Sequence, residues 1–452
     1  MNNYSKLKDI TSPTLPNEFL EEYALKIFTP LFRGECVTSI FVMGGGKRTV
    51  IKYLIKNKEL IEKYFPNMFE NTLYVFVNFD EIIEFSNYYY LDLIKKKIYQ
   101  ELTERNINLN LNKKDENNPL MAIEEVFEKL VALGWRIFLV LNDFELTLKL
   151  SPSIYLNLEH LLSIDKSRIE YLFLTTLNVL DPGIFSSFHN LKYALTRNVV
   201  FFPLLEKKNV YFLIDKVCQN QLFLKKETPP SKKELLYKLC GGHPQLLRYS
   251  LYFLKATLGD DFFLESDKKI EEKLLSSSQN LIICADIWNS LREKEKETMF
   301  FVLRNGNFPD EPQSNYAIDY LIKLHLVKKE GKKVKIFGKI FERFLLNFSK
   351  KSELFYDEKT KKIFYGEKSC EEIFTHQEFK VLTYLIQHKN QLVTRDEIAK
   401  TMWGSLYYQE KYSDWAIDKI ISTIRRKLDS IGFSSQNLIT LKKRGFILKD
   451  NC

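Results

Sequence analysis

Cysteine and histidine are scarce, six of each in 452 residues. Cys36, Cys218, Cys240, Cys284, Cys370 and Cys452 are scattered and form no CxxC pair, which argues against a disulfide framework and a zinc site. The histidines show no HxxxH or HExxH spacing, so the helical metal sites of zinc hydrolases are excluded. No apolar run approaches the roughly 20 residues of a membrane helix. The start, MNNYSKLKDITSPTLPNEF, lacks the apolar core of a signal peptide. A protein of the reducing cytoplasm without a membrane partner is the expectation. A strong charge of one sign is also missing. The 67 basic and 58 acidic side chains leave a net charge of +9, which permits contact with nucleic acid without demanding it. Hydrophobic content of 45% with 28% charge is ordinary for a folded protein, and the length allows two to four domains.

What is present is most specific near the C-terminus. TRDEIAKTMWG opens on Thr394, a candidate N-cap, with Glu397 three residues on to complete a capping box. It closes on Gly404, a natural residue just past a helix end. The polar loop SLYYQEKY follows. SDWAIDKIISTIRRKLDSIG starts from a second N-cap, Ser413, and sets Ile417, Ile421, Ile424 and Leu428 on one helical face. NLITLKKRGFILKD reads as two short strands around Lys442, Lys443, Arg444 and Gly445. Helix, loop, helix and basic hairpin are the order of a winged helix-turn-helix, whose second helix enters the major groove. Ala416, Lys419, Ser422 and Thr423 are expected toward the groove. Arg425 and Arg426, at the far end of the helix, and Lys442, Lys443 and Arg444, on the wing, are expected at phosphates.

The stretch from Leu354 to Lys449, with FTHQEFKVLTYLIQHKNQLVTRDEIAKTMWG, IDKIISTIRRKL and ITLKKRGFIL, resembles the C-terminal effector domain of OmpR/PhoB-type response regulators. YDEKTKKIFYGEKSCEEIFT resembles the small sheet that precedes the first helix in that family. The last motif departs from the family's Thr-Val-Arg-Gly-x-Gly-Tyr pattern, with Lys443 in place of the first glycine and Phe446 in place of the tyrosine. The resemblance implies a bacterial regulator of transcription that binds double-stranded DNA. RNA polymerase and a second copy of the chain are further candidate partners. No receiver domain is evident, since the N-terminal strands lack paired acidic residues followed by a phosphoacceptor aspartate.

The N-terminal part alternates strands with helices, which indicates a largely parallel α/β sheet. TSIFVMGGGKRTVIKYLIKN reads as a strand over Ser39 to Met43, a turn at Gly44, Gly45 and Gly46, and a helix from Arg48. Glycines let backbone N–H groups converge on a phosphate at a helix N-terminus. Lys47 stands where a Walker A lysine would. Phe41 occupies the position of the first motif glycine, and Arg48 the position of the magnesium-binding hydroxyl, with Thr49 one place later. TLYVFVNFDEI is expected as a strand from Thr72 to Ile83. WRIFLVLNDFELTL is a buried strand with Asn142 and Asp143 at the Walker B position. IEYLFLTTLN and VVFFPL complete the set, with Thr175, Thr176 and Asn178 as candidate sensor residues. LCGGHPQLLRYSLYFL ends one helix and begins another.

GGGKRT, LVLNDFE and GGHPQLLR resemble the STAND class of P-loop ATPases, relatives of AAA+ proteins. That resemblance implies ATP or ADP as ligand, with Mg2+ beside it, and a lid whose basic residue, Arg248, faces the nucleotide. The departures at Phe41, Arg48 and Asn142 imply weak ATPase activity at most. EKLLSSSQN reads as a hinge, and DIWNSLREKEKETMFFVL as one helix of a smaller winged-helix domain. Its hairpin carries Lys332, Lys333 and Lys335. The expected fold is an α/β P-loop NTPase-like domain with a helical lid, followed by two winged-helix (α+β) domains. Residues 1–16 are a flexible lead, 17–205 the P-loop domain, 206–280 the lid, 281–349 the first winged helix and 353–452 the effector. Beside a DNA-binding regulator stand two alternatives, an ATPase switch driven by turnover and a scaffold whose ATPase fold is a relic.

Overall fold

The computed structural model describes residues 15–111, 118–224, 227–309, 315–331, 333–351, 354–358, 360–366, 368–405, 412–431, 433–442 and 444–449. Residues 1–14 of the expected lead, 112–117, most of the SLYYQEKY loop, Lys332 and Lys443 lie outside them. The chain divides into two compact units, Met1–Glu342 and Arg343–Cys452.

The first unit is built on a parallel sheet of β1 (Val37–Phe41), β2 (Thr72–Asn78), β3 (Arg136–Asn142), β4 (Ile169–Thr175) and β5 (Val199–Phe202), in the order β2-β3-β4-β1-β5. The strands alternate at period two between two covered faces. Val75, Leu139, Tyr171 and Phe173 pack with Ile94, Ile98, Val126, Phe127 and Leu158 of the helices Asn87–Glu104, Pro119–Ala132 and Ser153–Ser163. Tyr74 and Phe138 point the other way, where Phe28 and Phe32 of the helix Asn17–Phe32 meet them at ring distances of 6.4 and 5.1 Å. Each such buried side chain contributes about 1.5–3 kcal/mol. β2 is shorter than expected: it stops at Asn78, and Phe79–Glu81 turns away as a 3-10 helix.

The lid comprises the helices Lys207–Asn220, Pro230–Cys240, Pro244–Leu258 and Asp267–Leu275. Ser277 caps the next helix, Ser278–Ser290, through its side chain, so the polar run SSSQN is a helix start and not a hinge. The expected join at 280–281 therefore falls inside that helix. DIWNSLREKEKETMFFVL is likewise two helices. Arg292 donates its N–H to Glu295 Oε2 at 2.9 Å, which closes a new N-terminus for Glu293–Asn305. Asn315–Lys323 and the hairpin Val327–Glu330/Lys333–Ile336 complete the first winged-helix region. It is tied to the sheet: Tyr320 donates to the Thr176 carbonyl at 2.5 Å, and Leu204 N–H to the Leu324 carbonyl at 3.0 Å.

The second unit holds a small antiparallel sheet, Leu354–Asp357, Lys362–Tyr365 and Lys368–Ser369. The helices His376–Gln387, Arg395–Trp403 and Asp414–Ser430 follow, then the hairpin Leu438–Leu441/Gly445–Leu448, which Val393–Thr394 extends by a third strand. Thr375 with Glu378 and Thr394 with Glu397 form capping boxes. Val381, Leu385, Ile398, Ile417, Ile421, Ile424, Leu428 and Phe446 share one core. Among the described residues no helix is long and apolar enough to cross a membrane.

Candidate nucleotide site and nucleic-acid interface

β1 lies inside the sheet between β4 and β5, and neither is the next strand in sequence. Crevices at the carboxyl ends of strands open at such places. The glycine turn leaves β1 there, and Gly46, at φ 89°, is the left-handed N-cap of the helix Lys47–Lys56. A cavity of about 270 Å3 is lined by Gly44, Gly45, Gly46, Thr49, Gln245 and Arg248, with Leu213, Pro244 and Tyr249 on its apolar side. Thr49 thus faces the cavity, whereas Arg48 is exposed and turned toward Glu81, 3.9 Å away. Arg248 is half-buried, and its Nε has no hydrogen-bond partner among the described residues. Burial lowers its pKa, so an anion beside it would be favoured.

Lys47 reaches past β4 to the end of β3. It pairs with Asp143 and, at 3.4 Å, with Glu145. Asp143 adopts a left-handed backbone, φ 57°, and its carboxylate also accepts from Asn142 Nδ2 at 2.6 Å. The Asn142 and Asn78 side-chain amides meet at 2.8 Å, while Thr176 donates to Glu145 at 3.0 Å. The negative charge at the end of β3 is therefore carried by Asp143 and Glu145, with Asn142 holding Asp143 in place. Thr175 is bound to the Leu177 N–H, and Asn178 to the Tyr316 carbonyl, so of the three sensor candidates only Thr176 joins this cluster. The glycine turn, the left-handed helix cap and the Arg248 side chain on the cavity wall fit the phosphates of a nucleotide.

His243 joins the lid to the glycine turn. The Leu246 N–H donates to its Nδ1 at 3.1 Å, and its Nε2 lies 2.7 Å from the Met43 carbonyl, so the neutral ring uses both nitrogens. Nothing in a reading based on Ser, Thr, Asp and Asn caps singles out a histidine cap. Burial pushes the His243 pKa from 6.5 down to about 4. The unfolded chain binds more protons across that window. Stability is therefore full above pH 6.5 and falls as pH drops toward about 4, by roughly 3 kcal/mol. Glu170 and Glu295, pushed up to about 8 and about 7 by burial, contribute with the opposite sign. The difference between wild type and His243→Asn isolates the histidine. Thermal melts from pH 7.5 to 4 are expected to decline more steeply in the wild type. Parallel curves would show that His243 takes up its proton without consequence.

In the second unit the helix Asp414–Ser430 buries Ile417, Ile420, Ile421, Ile424 and Leu428. Lys419, Ser422 and Arg426 are exposed, and Ala416 and Thr423 are half-buried. The Thr423 hydroxyl donates back to the Lys419 carbonyl at 3.0 Å. Arg425 is turned inward: Nε donates to the Leu438 carbonyl at 3.0 Å and the guanidinium to Thr440 Oγ1 at 2.7 Å. It pins the helix to the hairpin, so the guanidinium expected at a phosphate is also engaged within the domain. Lys442 and Arg444 are exposed at the hairpin turn. The face expected at DNA also carries Trp415, which is 70% exposed. Trp415, Lys419, Ser422 and Arg426 follow one another at helical spacing, a line visible in the sequence as the residues out of phase with the isoleucines.

Residues 371–448 match the family model "Transcriptional regulatory protein, C terminal". A relative, the uncharacterized transcriptional regulatory protein YkoG of Bacillus subtilis (strain 168), is 32% identical over 97 residues, which are 22% of this chain and 40% of the relative. The chain thus spans less than half of that relative's length. Solved structures similar to it include the Aeropyrum pernix ORC2 protein in ADPNP–ADP complexes, with 14% identity, a TM-score of 0.45 and coverage of 76% of this chain and 96% of that one. The Walker-type ATPase PABY2304 of Pyrococcus abyssi is similar at 12% identity and a TM-score of 0.47, with 74% and 99% covered. The C-terminal domain is an OmpR/PhoB-type domain of transcriptional regulators. The first unit has the fold of a P-loop NTPase-like module, carried by its own parallel strand order and glycine turn.

Proposed function

We propose that this protein is a DNA-binding regulator of transcription whose C-terminal winged helix acts on double-stranded DNA under the control of ATP or ADP held by the P-loop module. The observation that supports DNA binding most directly is the exposed line of Lys419, Ser422 and Arg426 beside the exposed wing cations Lys442 and Arg444. Phosphate contacts from the wing add affinity with little sequence information, and groove contacts from the helix discriminate. Gly44 to Lys47, Thr49 and Arg248 would hold the phosphates. Asp143 and Glu145, and not Asn142, would face a nucleotide-bound Mg2+. A STAND-like switch that follows occupancy and not turnover agrees with Asn142, which brings no charge to the metal, and with Glu145, whose carboxylate already serves Lys47 and Thr176.

The test is a salt series of binding isotherms on a selected duplex and on random duplex. Each phosphate contact contributes about 0.9 to the slope of log K against log salt. Neutralising Lys442, Lys443 and Arg444 is expected to flatten that slope by about three contacts' worth on both duplexes. Between 50 and 200 mM salt the wild type should then lose about 40-fold more affinity than the variant. A wing variant with wild-type affinity and slope would remove the hairpin from the DNA. A wild type that binds neither duplex would end the DNA-binding reading.

A further inference from the structure

An indole that is 70% exposed, at the leading end of a helix whose isoleucines are buried, is an apolar surface the fold itself does not use. The Lys419 ammonium lies over the ring, 4.7 Å from its centroid, which fixes a cation against one face of the indole. On the flanks, Asp414 and Asp418 would oppose a polyanion. Both are taken up by Arg395 of the preceding helix, at 2.8 and 2.7 Å, and that guanidinium rests over the Phe446 ring at 5.4 Å. Arg395 thus offsets one of these two carboxylate charges from within the domain and holds both side chains, and the outward feature is an aromatic plane with a lysine on it. Toward the far end, the same helical line presents a hydroxyl and a cation, Ser422 and Arg426.

We propose that Trp415 is the main sequence-reading residue of the recognition helix, packing its indole on the C5-methyl group of thymine in the major groove. The inference rests on the DNA-binding reading above and assigns its specificity. The N-terminal residues of a recognition helix are those that meet base edges, and thymine is the base that offers an apolar group there. Trp415 has the reach that Ala416, half-buried one residue on, does not. Lys419, held over the ring, is positioned to follow it into the groove toward an acceptor edge or a neighbouring phosphate.

Replacing thymine by uracil removes the methyl group and leaves the pairing intact. A duplex is selected from random sequence with the full-length wild type, and each thymine is then replaced in turn. Wild type is expected to lose about tenfold in affinity at one or two positions. Trp415→Ala should bind the parent duplex about tenfold more weakly than wild type, bind random duplex unchanged, and be insensitive to uracil at those positions. Trp415→Phe should keep part of the sensitivity. Trp415 contributes to no buried core, so the melting temperature of both variants should match wild type. A flat uracil scan in the wild type overturns the proposal, as does the same scan profile in Trp415→Ala. So does a Trp415→Ala defect confined to self-association. Failure of the wild type to bind any duplex with salt-dependent affinity instead removes the reading on which the proposal rests.

Discussion

Gly242→Ala is expected to destabilise the N-terminal unit by roughly 3 kcal/mol or more. Gly242 has φ +86°, and a Cβ there would fall inside the van der Waals envelope of the Leu205 carbonyl oxygen, 3.0 Å from its carbon. That oxygen belongs to the backbone just past β5 and cannot rotate away as a side chain would. Gly242 itself accepts from the Leu205 N–H at 3.0 Å, so a shift that relieves the clash also breaks the bond that docks the lid. Gly306→Ala is the control. Its φ of +67° carries a comparable penalty, but nothing among the described residues lies within 4 Å of its Cβ. It is expected to lose only about 1–2 kcal/mol. Denaturant unfolding of both variants separates backbone strain from close approach, and equal losses would show that the lid yields freely at Leu205. Because His243 follows directly and holds the Met43 carbonyl, a displaced Gly242 should also loosen the glycine turn.

The local pieces of this structure were legible because each obeys a short-range rule. The glycine turn after an apolar strand, the capping box at Thr394 and the isoleucine face of the helix Asp414–Ser430 depend on neighbours within one or two turns. What spacing could not show depends on strand order. Asp143 meets Lys47 because β4 alone separates β3 from β1, a fact of the sheet and not of the segments that form it. Asn142 and Asp143 share the Walker B position in the sequence, and only the left-handed turn at Asp143 shows which of the two meets the lysine. The helix break at Arg292 was missed because Glu295 looks like one more charge on a continuous helix until its carboxylate is seen on the Arg292 N–H. Arg425 reads as a surface cation by its position after Ile424, yet its donors end on Leu438 and Thr440, partners that only the returning hairpin supplies. Trp415 carries no charge to mark it in the sequence, although its phase places it on the same helical line as Lys419, Ser422 and Arg426.

Lys47→Ala is expected to act twice, on stability and on ligand. The Lys47, Asp143 and Glu145 side chains are only 13%, 17% and 14% exposed, so solvent screens the three charges poorly. Removing the lysine leaves two carboxylates facing one space, with Glu145 Oε2 already lacking a hydrogen-bond partner among the described residues. Loss of one partner from such a buried arrangement costs about 3–5 kcal/mol. Adding Asp143→Asn to the Lys47→Ala variant should return part of that loss, and the double-mutant cycle should show a coupling of about 1–3 kcal/mol. The ligand effect must be read against each variant's own baseline. A nucleotide at about 100 times its Kd raises the stability of the binding-competent protein by about 2.7 kcal/mol. Wild type should gain this with ATP or ADP, and Lys47→Ala should not. The Lys47 ammonium has to leave Asp143 to meet a phosphate, so Asp143→Asn alone should bind nucleotide more tightly than wild type in the absence of Mg2+. Thermal shifts of the four proteins, with and without each nucleotide, check all of this. Equal stabilisation of Lys47→Ala and wild type would place the lysine outside the site. Unchanged melting of unliganded Lys47→Ala would show that Asp143 and Glu145 do not depend on it.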